Sequence, residues 1–172
     1  MVCERKLENM MAQEISLTFG PLEELKKIIA DHPDRQFKLF LETDSNSEYM
    51  LLDYSGKKTI FHSGLNYTIE GVVGDQSEST GYIECRYVTL NEDEQKVFKS
   101  IFKSWDSEAK RPTGLNSSVM VHSEKDNFEF LLINAWEDEN TFMVWNNDRS
   151  NQMNQFGHDG NATPVVKTYR PM

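Results

Sequence analysis

From residue 13 onward the apolar positions switch between a period of two and a helical period, which divides the chain into strands and helices. "QEISLTF" (13–19) alternates in part and reads as a strand. In "GPLEELKKIIADHP" the residues Leu22, Leu25, Ile28 and Ile29 share one helical face; Pro21 suits the first helical position and Pro33 ends the run. "FKLFLET", "EYMLLDY" and "KKTIFHS" read as three strands separated by the turn-rich "DSNS" and "SG". "GLNYTIEGVVGDQSESTG" reads as a connection with room for one short helix, and residues 74–81 are the best boundary in the chain.

The second half is cleaner. "YIECRYVTL" (82–90) is rich in β-branched and aromatic residues and predicts a strand. Asn91 is a good N-cap with Glu94 placed for a capping box, and Phe98, Ile101, Phe102 and Trp105 then trace one face of an amphipathic helix. "RPTGL" breaks that helix. "NSSVMVHSE" and "NFEFLLINAW" predict two strands joined by a turn at residues 125–127. Asp138 or Asn140 opens a further helix expected to run to about Phe156, with Gly157 and Gly160 as stop signals, and "TPVVKTYRP" is a final strand.

The resulting class is α+β. The C-terminal half has the βαββαβ order of a ferredoxin-like unit, and the N-terminal half is an abbreviated βαβββ version of it. Each sheet has an apolar face that its own helices leave open. The expectation is that the halves pack sheet to sheet as an α+β barrel inside one chain, with a homodimer between chains as the competing solution. Three segments are expected: a polar N-terminal extension (1–12), the abbreviated half (13–80) and the complete unit (81–172).

Composition narrows the function. The 172 residues carry a formal net charge of −10, which speaks against nonspecific binding to nucleic acid or an anionic membrane. No apolar run approaches a membrane span, and "MVCERKLENMMAQE" lacks the apolar core of a secretory signal, so the cytoplasm is the expected location. Cys3 and Cys85 make no disulfide framework and have no metal-ligand spacing. His32, His62, His122 and His158 are scattered without metal spacing. The chain has no G-x-S-x-G, phosphate-binding glycine loop or Cys-x-x-Cys, so hydrolase, kinase and structural-zinc readings lack support.

Trp145 is the residue that invites a functional reading. On a helix continuing to residue 156, Phe142, Trp145, Arg149, Met153 and Phe156 form one stripe. Trp145 is then either a core residue against the sheet or a wall of a cavity for a flat ligand.

"LLINAWEDENTFMVW" (131–145) resembles the strand-to-helix signature of the antibiotic-biosynthesis-monooxygenase superfamily. Within it, the pattern W-x-[ST/D]-x-x-x-F-x-x-W is similar to that of bacterial heme-degrading monooxygenases. "TFGPLEELKKIIADHP" (18–33) resembles the opening of the two-part members, including target of RNAIII-activating protein. The resemblance runs from about Gln13 to the end and implies oxidative cleavage of heme by O2. Heme would be both substrate and cofactor, without a separate metal site, and an external donor would supply electrons. It implies Trp145 as the residue that distorts the porphyrin. It aligns Cys85, in "ECR", with the family's catalytic asparagine, whose amide a thiol does not copy. The family's proximal histidine falls at Gln155, and the nearest histidine is His158, the candidate iron ligand. Phe142 and Phe156 would flank the ring; Arg86, Arg149, Lys167 and Arg170 are candidate partners for its propionates. The departures at Cys85 and Gln155 favour a second reading: a non-catalytic protein that binds heme or another flat hydrophobic molecule, or regulates, on the same fold.

Overall fold

Strand pairing closes the chain on itself. The computed structural model describes residues 13–45, 47–76 and 81–172; the expected extension with Cys3, and residues 77–80 of the boundary stretch, lie outside them. Among the described residues eight strands are formed: β1 (Glu14–Gly20), β2 (Phe37–Glu42), β3 (Tyr49–Asp53), β4 (Leu65–Gly74), β5 (Tyr82–Thr89), β6 (Leu115–Ser123), β7 (Glu129–Trp136) and β8 (Val165–Pro171). Helices α1 (Leu22–Asp31), α2 (Glu92–Ser104) and α3 (Glu139–Asn147) accompany them, with a 3₁₀ turn at Gln152–Gln155. The strands form a closed barrel in the order β1-β3-β2-β8-β5-β7-β6-β4, with every described pairing antiparallel. Each half thus has the 4-1-3-2 order of a ferredoxin-like sheet, and the seams β2–β8 and β4–β6 join the halves within one chain. No helix among the described residues is long and apolar enough to cross a membrane.

Alternation along each strand sorts side chains between two cores. On β5, Ile83 and Cys85 point into the barrel beside Leu17, Phe40, Met50 and Leu131. Tyr82 and Val88 point outward, into a layer built by Phe98 and Phe102 of α2, Phe142 of α3, and Met153 and Phe156 beyond it. The capping box is present: Asn91 accepts from the Glu94 N–H at 2.8 Å, and Glu94 accepts from the Asn91 N–H at 3.2 Å.

Two expectations are corrected. The fourth strand is not "KKTIFHS", which forms a loop whose Phe61 stacks on Phe37 at 6.3 Å. The strand is β4, inside the stretch read as a connection. A bulge between Ile69 and Gly71 shifts its alternation, turning Ile69 to the barrel and Val73 to the helix layer. Gly71 also hides the pattern: a Cβ there would lie 3.0 Å from the Phe102 ring.

The last helix stops at Asn147 rather than near Phe156. Asp148 leaves the helix in an extended conformation, and its carboxylate accepts from the Ser150 N–H at 2.9 Å. Asn151 caps the 3₁₀ turn through the Met153 N–H at 2.9 Å, and its amide donates to the Trp145 carbonyl at 3.0 Å. Short polar side chains here satisfy the backbone outside the helix and outcompete its continuation.

Candidate functional site

The residues expected to form one site fall into three places. Trp145 is half-buried in the helix layer, 5.1 Å from the Trp136 ring and 6.1 Å from the Trp105 ring. Phe142 packs 5.6 Å from Tyr82, and Phe156 lies edge-on to Phe98 at 5.2 Å, so both are core residues of that layer. The stripe through Arg149 is not continuous, because the helix ends before it and Arg149 is exposed.

Cys85 faces the other way, fully buried in the barrel. The outward neighbours on β5, facing Trp145, are Glu84 and Arg86, so the alignment of Cys85 with a ligand-facing asparagine is not realised. Burial pushes the Cys85 thiol up, with the Glu84 charge adding to it, which keeps it a neutral thiol rather than a metal-binding thiolate.

Glu84 and Arg86 form a network that sequence reasoning missed. Both side chains are fully buried, and Arg86 Nε donates to Glu84 Oε2 at 2.6 Å. The other guanidinium nitrogens donate to Asn154 Oδ1 at 3.0 Å and Asn146 Oδ1 at 2.5 Å. The second oxygen of Glu84 accepts from Asn134 Nδ2 at 2.9 Å and Trp136 Nε1 at 3.0 Å. Trp145 lies over the guanidinium, 4.7 Å from Arg86 Cζ to the ring centroid. The i, i+2 spacing of two opposite charges within an apolar strand was the signal for it. The cavity remaining beside Trp145 is about 200 Å³, lined also by Trp105, Pro112 and Met153.

His158 sits elsewhere. It lies on a loop that pairs with Asn161, and the Gly157 carbonyl accepts from the Thr89 N–H at 2.9 Å. Gly157 is required by that turn, since a Cβ would come within 1.8 Å of the Asn161 oxygen. His158 Nε2 is 3.3 Å from Glu129, and its Nδ1 is 3.5 Å from Asp159. These three side chains form a cluster of potential metal-ligand atoms lying within 4.8 Å of one another.

His158 and Trp145 line different cavities, so the structure does not bring them together. The cavity at His158 is the open end of the barrel, about 850 Å³ in volume. Its wall includes Tyr67, Tyr87, Tyr169, Lys167 and Glu42. Lys167 is 3.3 Å from Glu42, and Arg170, at the surface, is 3.6 Å from Glu139. Gln155 is exposed and donates to the Gln152 carbonyl. A smaller cavity of about 280 Å³ lies at the opposite end of the barrel.

The sequence matches no protein-family model and no curated protein. Solved structures share its fold. A heme-degrading enzyme from Listeria monocytogenes has a TM-score of 0.70 at 16% identity, over 92% of this chain and 99% of that one. A ferredoxin-fold protein related to antibiotic biosynthesis monooxygenases, from the same species, has a TM-score of 0.71 at 19% identity, over 95% and 98%. A major regulator of staphylococcal pathogenesis has a TM-score of 0.70 at 13% identity, over 93% and 99%. The sequence resemblance therefore points to the group whose fold this chain has, and at these identities the likeness is one of fold.

Proposed function

We propose that this protein is a small-molecule-binding member of the fold, with its ligand in the barrel end and without heme-degrading activity. The observation that carries this reading is the buried Glu84–Arg86 network under Trp145. Heme seated between α3 and the sheet needs room for a porphyrin and free cations for its propionates. The space beside Trp145 is about 200 Å³, below the roughly 300–1,000 Å³ of ordinary ligand pockets. Arg86 is already bound to Glu84, Asn146 and Asn154. Opening the cleft would strip partners from a buried charge, at a cost of several kcal/mol. The residues present do not fit heme in that cleft. The likeness to a heme-degrading enzyme and monooxygenase-like proteins is thus a likeness of scaffold.

Hemin titration tests this. The expected result is no saturable one-to-one Soret shift, and no band decay when ascorbate is added in air. A stoichiometric complex whose axial spectrum disappears in His158→Ala, followed by loss of the Soret band and release of iron, would establish the enzymatic reading instead.

A further inference from the structure

We infer that the open end of the barrel binds a hydrophobic organic cation, an ammonium group carried on an apolar or aromatic body. This rests on the reading above that the barrel, rather than the helix–sheet cleft, is the binding site. Three observations converge on it.

The first is the sign of the wall. Glu42, Glu48, Glu129 and Asp159 line the cavity, against Lys167 and His158. Lys167 is already paired with Glu42, and His158 lies between Glu129 and Asp159. An anion would meet uncompensated carboxylates; a cation would be matched by them.

The second is the set of tyrosines. Tyr67 and Tyr169 are 5% and 3% exposed, and both line the cavity. Neither hydroxyl bonds to another described residue, and neither is enclosed, since Asn66 Oδ1 is the buried side-chain atom left without a partner among them. Both hydroxyls therefore open on the cavity. An ammonium N–H entering it can donate to them, and the rings of Tyr67, Tyr87 and Tyr169 attract the same charge.

The third is the rim. Phe19, Leu65 and Val165 line the opening while 48%, 41% and 39% exposed, a surface suited to the apolar body of such a ligand. At about 850 Å³ the cavity lies within the range of small-molecule sites, roughly 300–1,000 Å³. Like-charge contact shows at Glu48, which a hydrogen bond with Glu42 and the Glu42 charge raise. A bound cation relieves it.

Calorimetric titration of the full chain with three probes of one shape decides the matter: 3-phenylpropylammonium, 3-phenylpropanol and 3-phenylpropionate. The expected result is saturable binding of the ammonium at least about tenfold tighter than the alcohol, with the carboxylate weakest. Glu129→Gln and Tyr67→Phe should each weaken the ammonium several-fold, and Val72→Ala, at the opposite end of the barrel, should leave it unchanged. Equal or tighter binding of the alcohol or carboxylate overturns the inference. So does weakening by Val72→Ala as large as by Tyr67→Phe, or one-to-one binding of Mn²⁺ or Zn²⁺ alone that the ammonium fails to displace. Silence of all three probes with hemin also silent overturns the ligand class alone, whereas a stoichiometric hemin complex overturns the reading on which it rests.

Discussion

The Arg86 guanidinium lies beneath Trp145, 4.7 Å from the ring centroid, while its Nε holds Glu84 at 2.6 Å. The cation–π contact, with the Arg86–Asn146 hydrogen bond, joins α3 to β5, and the buried ion pair along β5 fixes the guanidinium for both. Trp145 is therefore the lid of a charged network. Removing the guanidinium leaves Glu84 buried and short of a positive partner. Arg86→Ala should cost about 3–5 kcal/mol in urea unfolding. The double variant Glu84→Gln/Arg86→Met should cost less than the sum of the single changes; an additive result would mean that the pair is not coupled.

The Asn91–Glu94 capping box is independent of any ligand. Asn91→Ala should lower stability by about 1 kcal/mol, read as a fall in Tm, while Asn91→Ser should keep most of it. Equal losses in both variants would show that the side-chain cap contributes nothing.

Gly157 leaves no space for a side chain against the Asn161 oxygen. Gly157→Ala should break the His158–Asn161 pairing and move His158 away from Glu129. The check is the His158 ring signal by NMR, which should shift in the variant while α2 resonances stay in place.

Acid should favour the native state through the barrel-end carboxylates. Glu48 and Glu129 have folded values raised above the ordinary carboxylate range, so the native state binds more protons than the unfolded chain between the ordinary and raised values. Their contribution is present below that window and lost as pH rises through the raised values. Glu48→Gln should flatten this part of the Tm–pH profile and raise Tm at neutral pH. A steeper profile would reverse the assignment.

The Cys85 thiol is buried and pushed up, so it should resist alkylation in the folded protein. In a Cys3→Ser background, a thiol reagent should find nothing in native buffer and one group in guanidinium. Rapid native labelling would mean that the barrel core opens readily.

Legibility in the sequence followed the strength of local signals. Helix α2 could be read whole because Phe98, Phe102 and Trp105 keep one phase and Asn91 marks its start. The end of α3 could not, because Asp148 and Asn151 act through side-chain bonds to the backbone, which periodicity does not register. β4 was lost where its bulge reversed the alternation. At the site, Trp145 stands out in the sequence by its place in the W-x-D-x-x-x-F-x-x-W pattern, but its partner does not. Glu84 and Arg86 share a strand face at short range, whereas Asn146 and Asn154 reach Arg86 across 60 and 68 positions. The cavity was the least legible feature, since Tyr67, Tyr87 and Tyr169 come from three strands of both halves and meet only when the barrel closes.

That closure has a consequence for recognition. The seams β2–β8 and β4–β6 repeat one arrangement about an axis running through the barrel, with different residues on its two sides. Two identical chains would present every wall residue twice and offer an asymmetric guest two equivalent poses. Here Lys167 lies on β8 and Tyr67 on β4, each once, at corresponding strands of the two halves. A covalently joined barrel can tell the head of a guest from its tail.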